Sequence, residues 1–181
     1  MRRRWVGIDI TYLAIDLIRK RLRHTYGDGI EATYTVHGIH ADLEGANALF
    51  RENPFDFERW AVSLIDAQAN EKQVGDKGVD GVVRFYTDKD RTGRALVSVK
   101  GGKTVNPGMV RDLHGTVERE HAEMGIAIVL AEPTRGIREE ADKSGSYTNP
   151  LTGQSYPRIQ VAKVGDLMEG KRPNMPTPIL P

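Results

Sequence analysis

Residues 75–104 read GDKGVDGVVRFYTDKDRTGRALVSVKGGKT, and this stretch predicts the fold of the chain. Residues 82–86 are mostly β-branched or aromatic, which favours a first strand. Residues 88–93 are rich in Asp and Gly and indicate a polar turn, and the apolar run 95–100 predicts a second strand. We therefore expect an antiparallel hairpin here, with the rest of the chain packed around it.

Reactive side chains stand at one end of this predicted hairpin. Asp80 precedes the first strand and Lys100 ends the second, so antiparallel pairing brings them side by side. Ser98 falls on the same face as Lys100, because side chains alternate along a strand. A carboxylate, a hydroxyl and an ammonium group are thus expected together at the end of the sheet. Since the sheet does not depend on side chains at strand ends, the Asp80→Ala and Lys100→Ala variants are expected to fold normally.

The segments around the hairpin predict helices and a further strand. Asn53-Pro54 is a typical helix start, and apolar residues then recur at helical spacing to about Gln68. Asn106-Pro107 repeats the signal for a helix that runs to Met124 and is closed by Gly125. The continuous apolar run 126–131 follows and predicts a strand buried on both faces.

The remaining segments give weaker patterns. Upstream, they predict a buried strand over 5–10, a helix whose apolar residues extend from Leu13 to Leu22, a strand candidate at 32–36 and a helical turn at 43–50. Downstream, they predict a short helix over 134–143, a loop over 145–155 and a strand over 158–164. The last twelve residues contain four prolines, so we expect either an extended arm or a strap packed on the domain.

An acid on one strand, with a polar residue two positions before a lysine on the next, resembles the PD-(D/E)xK nuclease superfamily. The closer likeness is to Mrr-type restriction endonuclease domains, of the kind that follows the methyltransferase region in site-specific DNA amino-methyltransferases. It covers residues from about 50 to 164. The likeness is carried by Phe57-Glu58, Asp76 to Gly81, Val97 to Gly102, the helix from Pro107 and Pro133-Thr134. It implies an α/β fold of the restriction endonuclease-like type, with a three-layer α/β/α core and a central mixed sheet.

The resemblance also implies a domain organisation. Residues 1–26 would be a trailing strand–helix unit that resembles the end of a methyltransferase domain, in which Asp9 is structural. Residues 27–52 would be a connector, 53–165 the nuclease-like domain and 166–181 a Pro-rich tail.

The same resemblance implies a catalytic site made of Asp80, Ser98, Lys100 and Glu58. Asp80, Glu58 and the main-chain carbonyl of Val99 would bind Mg²⁺ or Mn²⁺, and Lys100 would orient the attacking water. Ser98 stands where the family usually has an acid, and a hydroxyl is a weaker Mg²⁺ ligand than a carboxylate. Glu58 either supplies the missing charge or is a surface glutamate. A glutamate at position 98 is expected to tighten Mg²⁺ binding.

The implied function is a metal-dependent DNA endonuclease in a restriction-modification system. Lys103, Arg91 and Arg94 would contact DNA, and a methyltransferase region outside this chain and a homodimer partner are further expectations. The alternative is a catalytically inactive nuclease fold that serves as a DNA-binding or structural module of a DNA methyltransferase.

Composition limits other functions. The chain has 26 basic and 25 acidic residues, so any DNA contact must come from a local patch. Cysteine is absent, which excludes disulfides and thiolate metal sites and suits the cytoplasm. No segment predicts a signal peptide or membrane span.

Gly102-Lys103-Thr104 lacks the upstream glycine of a phosphate-binding P-loop. His37 and His40 have no evident third ligand for a metal.

Overall fold

The computed structural model describes residues 5–8, 12–36, 43–70 and 78–179. The chain forms two compact units, Met1–Ile39 and His40–Pro181. Among the helices described, none is both long enough and apolar enough to cross a membrane. Predictions about Asp9, His37 and His40 fall outside the described residues.

The first unit contains helix α1 (Tyr12–Tyr26) and a short 3-10 helix (Asp28–Thr33). Within α1, Arg19 and Arg23 form ion pairs with Glu31 at 3.1 and 3.6 Å. The strand predicted over 5–10 is wrong for residues 5–8, which form no regular structure and leave Val6 86% exposed. The strand candidate at 32–36 is also wrong, because the 3-10 helix occupies its beginning and no strand follows.

The second unit is built on a five-stranded mixed sheet. Its strands are β1 (Gln68–Ala69), β2 (Gly81–Tyr86), β3 (Thr92–Lys100), β4 (Met124–Val129) and β7 (Ile159–Lys163), in the order β1-β2-β3-β4-β7, while β5 (Ser146–Thr148) and β6 (Ser155–Pro157) form a separate pair. Strands β1, β2 and β3 are antiparallel neighbours, whereas β3, β4 and β7 run parallel. The predicted hairpin is confirmed, with Gly81 opposite Val97.

Helices lie on both faces of this sheet. They are α2 (Leu43–Glu52), α3 (Pro54–Ser63), α4 (Pro107–Arg119), α5 (Arg135–Asp142) and α6 (Val164–Met168). A methyl group on Gly81 would meet Val62 of α3 at 2.6 Å, so the Gly81 face packs on α3. A methyl group on Gly125 would meet Val117 of α4 at 2.9 Å, so the Gly125 face packs on α4. The predicted three-layer α/β/α architecture is therefore confirmed.

Both Asn-Pro helix starts form as predicted. The Asn53 side chain accepts a hydrogen bond from the Asp56 N–H at 3.2 Å, and the Asn106 side chain accepts one from the Gly108 N–H at 2.9 Å. The predicted end of the second helix is wrong, since α4 stops at Arg119. His121 has a φ of 50°, a left-handed conformation that a helix does not continue through, so Met124 is free to start β4.

The segment predicted as a loop over 145–155 contains a small hairpin of β5 (Ser146–Thr148) and β6 (Ser155–Pro157). Its turn is organised by Asn149, which is buried. The Asn149 amide donates to the main-chain carbonyl of Tyr86 at 2.9 Å, and its oxygen accepts from the Leu151 N–H at 2.9 Å. The prediction failed because this fixing contact comes from β2, far away in the sequence.

The proline-rich tail is a packed strap. Gln160 on β7 exchanges two hydrogen bonds with the main chain of Asn174, each 2.8 Å long. Further on, Pro178 lies beside Phe85 of β2, and the Ile179 N–H donates to the Arg84 carbonyl at 2.8 Å. The tail thus forms hydrogen bonds with β7 at one edge of the sheet and with β2 near the other edge.

Candidate functional site

Asp80 lies immediately before β2 and extends the hairpin by one step. Its N–H donates to the Val97 carbonyl at 2.8 Å, and its carbonyl accepts from the Asn70 N–H at 3.0 Å. Its side chain is used as well, because Oδ2 accepts a hydrogen bond from the Val99 N–H at 2.6 Å. The Asp80 carboxylate therefore serves as the acceptor for the Val99 N–H, at a point where β2 has no further main-chain carbonyl to offer. The expectation that the sheet does not depend on this side chain did not include this hydrogen bond, and it stays a prediction.

Substitutions at Asp80 test this structural role. Asp80→Ala removes the acceptor of the N–H of Val99, a residue that is buried, and we expect it to lower the free energy of unfolding by about 1.5–3 kcal/mol. Asp80→Asn keeps an oxygen for the Val99 N–H, so its loss should be clearly smaller. Urea denaturation followed by circular dichroism measures both. If Asp80→Ala unfolds at the wild-type urea concentration, the hydrogen bond to Val99 contributes nothing.

Ser98 lies on β3 opposite Ala127 of β4 and is only 6% exposed. Because Val97 shares the face of Gly81, which packs on α3, Ser98 projects to the other face, towards the α4 layer. A hydroxyl is small enough for this buried position.

Lys100 ends β3 on the same face as Ser98 and is half-buried. Its carbonyl accepts from the Leu130 N–H at 3.0 Å, which continues the parallel pairing with β4. The structure thus brings Asp80, Ser98, the main chain of Val99 and Lys100 to one end of the sheet, as the sequence predicted.

Glu58 belongs to a different layer. It lies on α3, next to the fully buried Phe57, and α3 covers the face that carries Gly81. Ser98 and Lys100 project towards the opposite layer. Glu58 is half-buried, and its role as a metal ligand stays a prediction.

The side chains at this end of the sheet are poor ligands for Mg²⁺. Mg²⁺ prefers several oxygen ligands in octahedral geometry, usually with carboxylates among them. Here one carboxylate already accepts from the Val99 N–H, and the position of the second acid holds a buried serine. Within the described ranges, no three His, Asp or Glu side chains come together as a set that could hold a metal ion. Binding of Mg²⁺ or Mn²⁺ stays a prediction.

The cations predicted to contact DNA do not form one surface. Arg91 and Arg94 lie near the start of β3, whereas Lys103 follows its end, and a nine-residue strand is roughly 30 Å long. The Arg94 guanidinium donates to the Glu120 carbonyl at 2.5 Å, and the main-chain N–H of Arg94 donates to the Glu123 carboxylate at 2.6 Å. Arg94 is therefore committed to contacts inside the protein, while Arg91 and Lys103 are exposed.

Sequence reasoning missed a crevice of about 390 Å³ beside Lys100. It lies where β3, β4 and β7 end, and α2 closes it on one side. The polar side chains that line it include Asn47, Lys103, Glu132 and Lys163. Glu132 and Lys163 form an ion pair, and Arg138 also contacts Glu132 at 3.1 Å. The hydrogen bond from Lys163 lowers the pKa of Glu132 and raises the pKa of Lys163, so both stay charged near neutral pH. The available signal was position, since Lys103 and Glu132 come three residues after the ends of β3 and β4 and Lys163 ends β7.

Comparison with known proteins gives one family. Its model, described as NACHT-associated inactive Restriction Endonuclease 1, matches residues 56–166. No curated protein matches the chain. The prediction of an active Mg²⁺-dependent deoxyribonuclease is wrong, because the matched family is an inactive one. The finer likeness to Mrr-type domains and the link to a methyltransferase stay predictions. Since the match spans more than half of the sequence, the chain belongs to the NACHT-associated inactive restriction endonuclease family, and the restriction endonuclease-like fold is confirmed.

Proposed function

We propose that this domain is a non-catalytic module that binds the DNA backbone at the end of β3 through Lys100 and Lys103. The observation that carries the proposal is the hydrogen bond from the Val99 N–H to Asp80, which commits the carboxylate to the sheet. With a buried serine in place of a second acid, the end of the sheet presents lysines instead of a cluster of carboxylates. Such a surface attracts phosphate without assembling a cleavage site.

The ion pairs of other cations in the second unit support this choice. Arg111, Arg135 and Arg158 are each paired with a glutamate on α4 or α5, at distances of 2.6 to 3.5 Å. In the described part of the second unit, neither Lys100 nor Lys103 takes part in an ion pair. An ammonium group without a protein anion gains most from a phosphate, because it gives up no existing pair.

We also propose that the domain works as an accessory region of a larger protein. The description of the matched family as NACHT-associated supports such a setting. A DNA methyltransferase, which the sequence resemblance implied, is the second candidate for the rest of that protein.

DNA binding can be measured by fluorescence anisotropy with a labelled duplex at several salt concentrations. We expect binding that weakens steeply with salt and no cleavage when Mg²⁺ or Mn²⁺ is added. The double variant Lys100→Gln/Lys103→Gln should bind at least about tenfold more weakly, and its slope of log affinity against log salt should fall by about 2.

Lys143→Gln is the matched control, because Lys143 is an exposed cation at the end of α5 and should leave binding unchanged. Wild-type affinity in the Lys100→Gln/Lys103→Gln variant would refute the proposed surface. No binding by the wild type even at low salt would favour a purely structural role. Metal-dependent cleavage would overturn the non-catalytic assignment.

A further inference from the structure

The crevice beside Lys100 occupies a favourable position in the sheet. β3, β4 and β7 are parallel, so their carboxyl ends meet at one edge. Residues 101–103 and 130–132, which follow β3 and β4, line the crevice together with Lys163 at the end of β7. Crevices outside the carboxyl ends of parallel strands are the usual ligand sites of α/β sheets, and a volume of about 390 Å³ is in the range of small-molecule sites.

The lining has two chemically distinct parts. Leu43, Leu130 and Ala131 provide an apolar surface, and Lys103 provides a cation that is not paired within the described residues. Asn47 donates its amide to the Leu43 carbonyl at 2.7 Å, so its oxygen remains as an acceptor. Such a lining suits a ligand with a flat apolar part, hydroxyl donors and an anionic group.

Two glycines shape the loop that carries Lys103. A methyl group on Gly101 would lie 2.2 Å from the ring of Phe50, so only glycine lets this loop lie against α2. A methyl group on Gly102 would meet no atom within 4 Å, so the main chain there faces open space. Both glycines line the crevice, so the loop backbone can contact a ligand there.

We propose that this crevice binds a nucleoside monophosphate. Lys103 and the main chain around Gly102 would bind the phosphate, and the apolar surface of Leu43 and Leu130 would contact the base. Asn47 and Glu132 would accept hydrogen bonds from the sugar hydroxyls, as acidic residues do in dinucleotide-binding folds. The site overlaps the DNA surface proposed above at Lys103, and its other residues are different.

Isothermal titration calorimetry of the full chain with adenosine 5′-monophosphate tests the site. We expect saturable binding, with adenosine and inorganic phosphate each at least about tenfold weaker, because each supplies only half of the contacts. Gly102→Leu should abolish binding, because it adds a bulky side chain to a residue that lines the crevice. Its thermal unfolding should be unchanged, since the added side chain meets open space. Lys103→Gln should weaken binding at least tenfold.

Asn47→Ala provides a second variant on a different element, and Lys143→Gln is the control for loss of surface charge. Both Gly102→Leu and Asn47→Ala should still bind the DNA duplex, because they leave Lys100 and Lys103 in place. Absence of binding at millimolar nucleotide, or equal binding by wild type and Gly102→Leu, would overturn this inference. Nucleotide binding without DNA binding would refute the proposed function and support the crevice.

Discussion

Phe57→Ala is expected to lower the free energy of unfolding by about 3–5 kcal/mol, the largest single effect we predict for a side chain in this domain. Phe57 is fully buried, and its ring packs edge-on against Phe50 at 5.4 Å and tilted against Trp60 at 5.8 Å. It therefore joins α2 and α3 under the sheet. Truncation to alanine leaves a cavity that three separate elements would have to close.

Phe55→Ala is the control for Phe57→Ala, because Phe55 lies on the same helix and is 50% exposed. It should change the free energy of unfolding by no more than about 0.5 kcal/mol. Urea denaturation of the two variants gives the comparison. Equal losses would mean that burial of the Phe57 ring contributes nothing specific and that the aromatic cluster is unimportant.

Leu113→Ala is expected to cost about 2–5 kcal/mol, because Leu113 is buried between α4 and the sheet. A methyl group on Gly125 of β4 would lie 3.0 Å from its Cγ atom, so helix and strand are in close contact here. Asp112→Ala, one residue earlier on the exposed side of α4, should change stability little. A loss below about 1 kcal/mol for Leu113→Ala would mean that α4 is peripheral.

A second substitution sharpens the Leu113→Ala test. Gly125→Ala alone should destabilise the domain, because its new methyl group would also lie 2.8 Å from Ile159 and 2.9 Å from Val117. Combined with Leu113→Ala, part of that crowding disappears, so the double variant should lose less than the sum of the single losses. Strict additivity in thermal or urea denaturation would contradict the proposed contact.

The main elements of the fold could be predicted because their signals are local. Alternating residues and a polar turn predicted β2 and β3, and two Asn-Pro pairs marked where α3 and α4 begin. The end of α4 was placed too late, because His121 terminates the helix in a left-handed conformation that a non-glycine residue adopts only occasionally. Sequence patterns do not indicate where a non-glycine residue will adopt this conformation.

The chemistry of the site was harder to predict, since it depends on contacts between distant residues. Asp80 was correctly placed beside Lys100, yet its hydrogen bond to the Val99 N–H was not foreseen, because a sequence does not show which main-chain groups lack a partner. The crevice was missed for the same reason. Its lining residues come from α2, two loops and the end of β7, and they meet only in the folded domain.

Position 98 also has a consequence for attempts to introduce a second acid. Ser98 is 6% exposed and shares its face with Leu96, which packs in the core of the α4 layer. A glutamate at this position would have to bury a charge, which is costly without a partner. We therefore expect Ser98→Glu to destabilise the core and not to tighten the binding of a cation.

The covering of β2 limits how another protein can bind this domain. β1 pairs with the first part of β2, at Gly81 and Val82, and the tail bonds to Arg84 and lies beside Phe85. Pro178 in that tail has no N–H to offer to a further strand. An extended peptide that recognises partners by adding a strand would therefore find no continuous ladder of main-chain groups along β2. We expect a partner protein that approaches this side of the sheet to recognise side chains, so substitutions on that surface, and not competition by strand-forming peptides, should separate it from the domain.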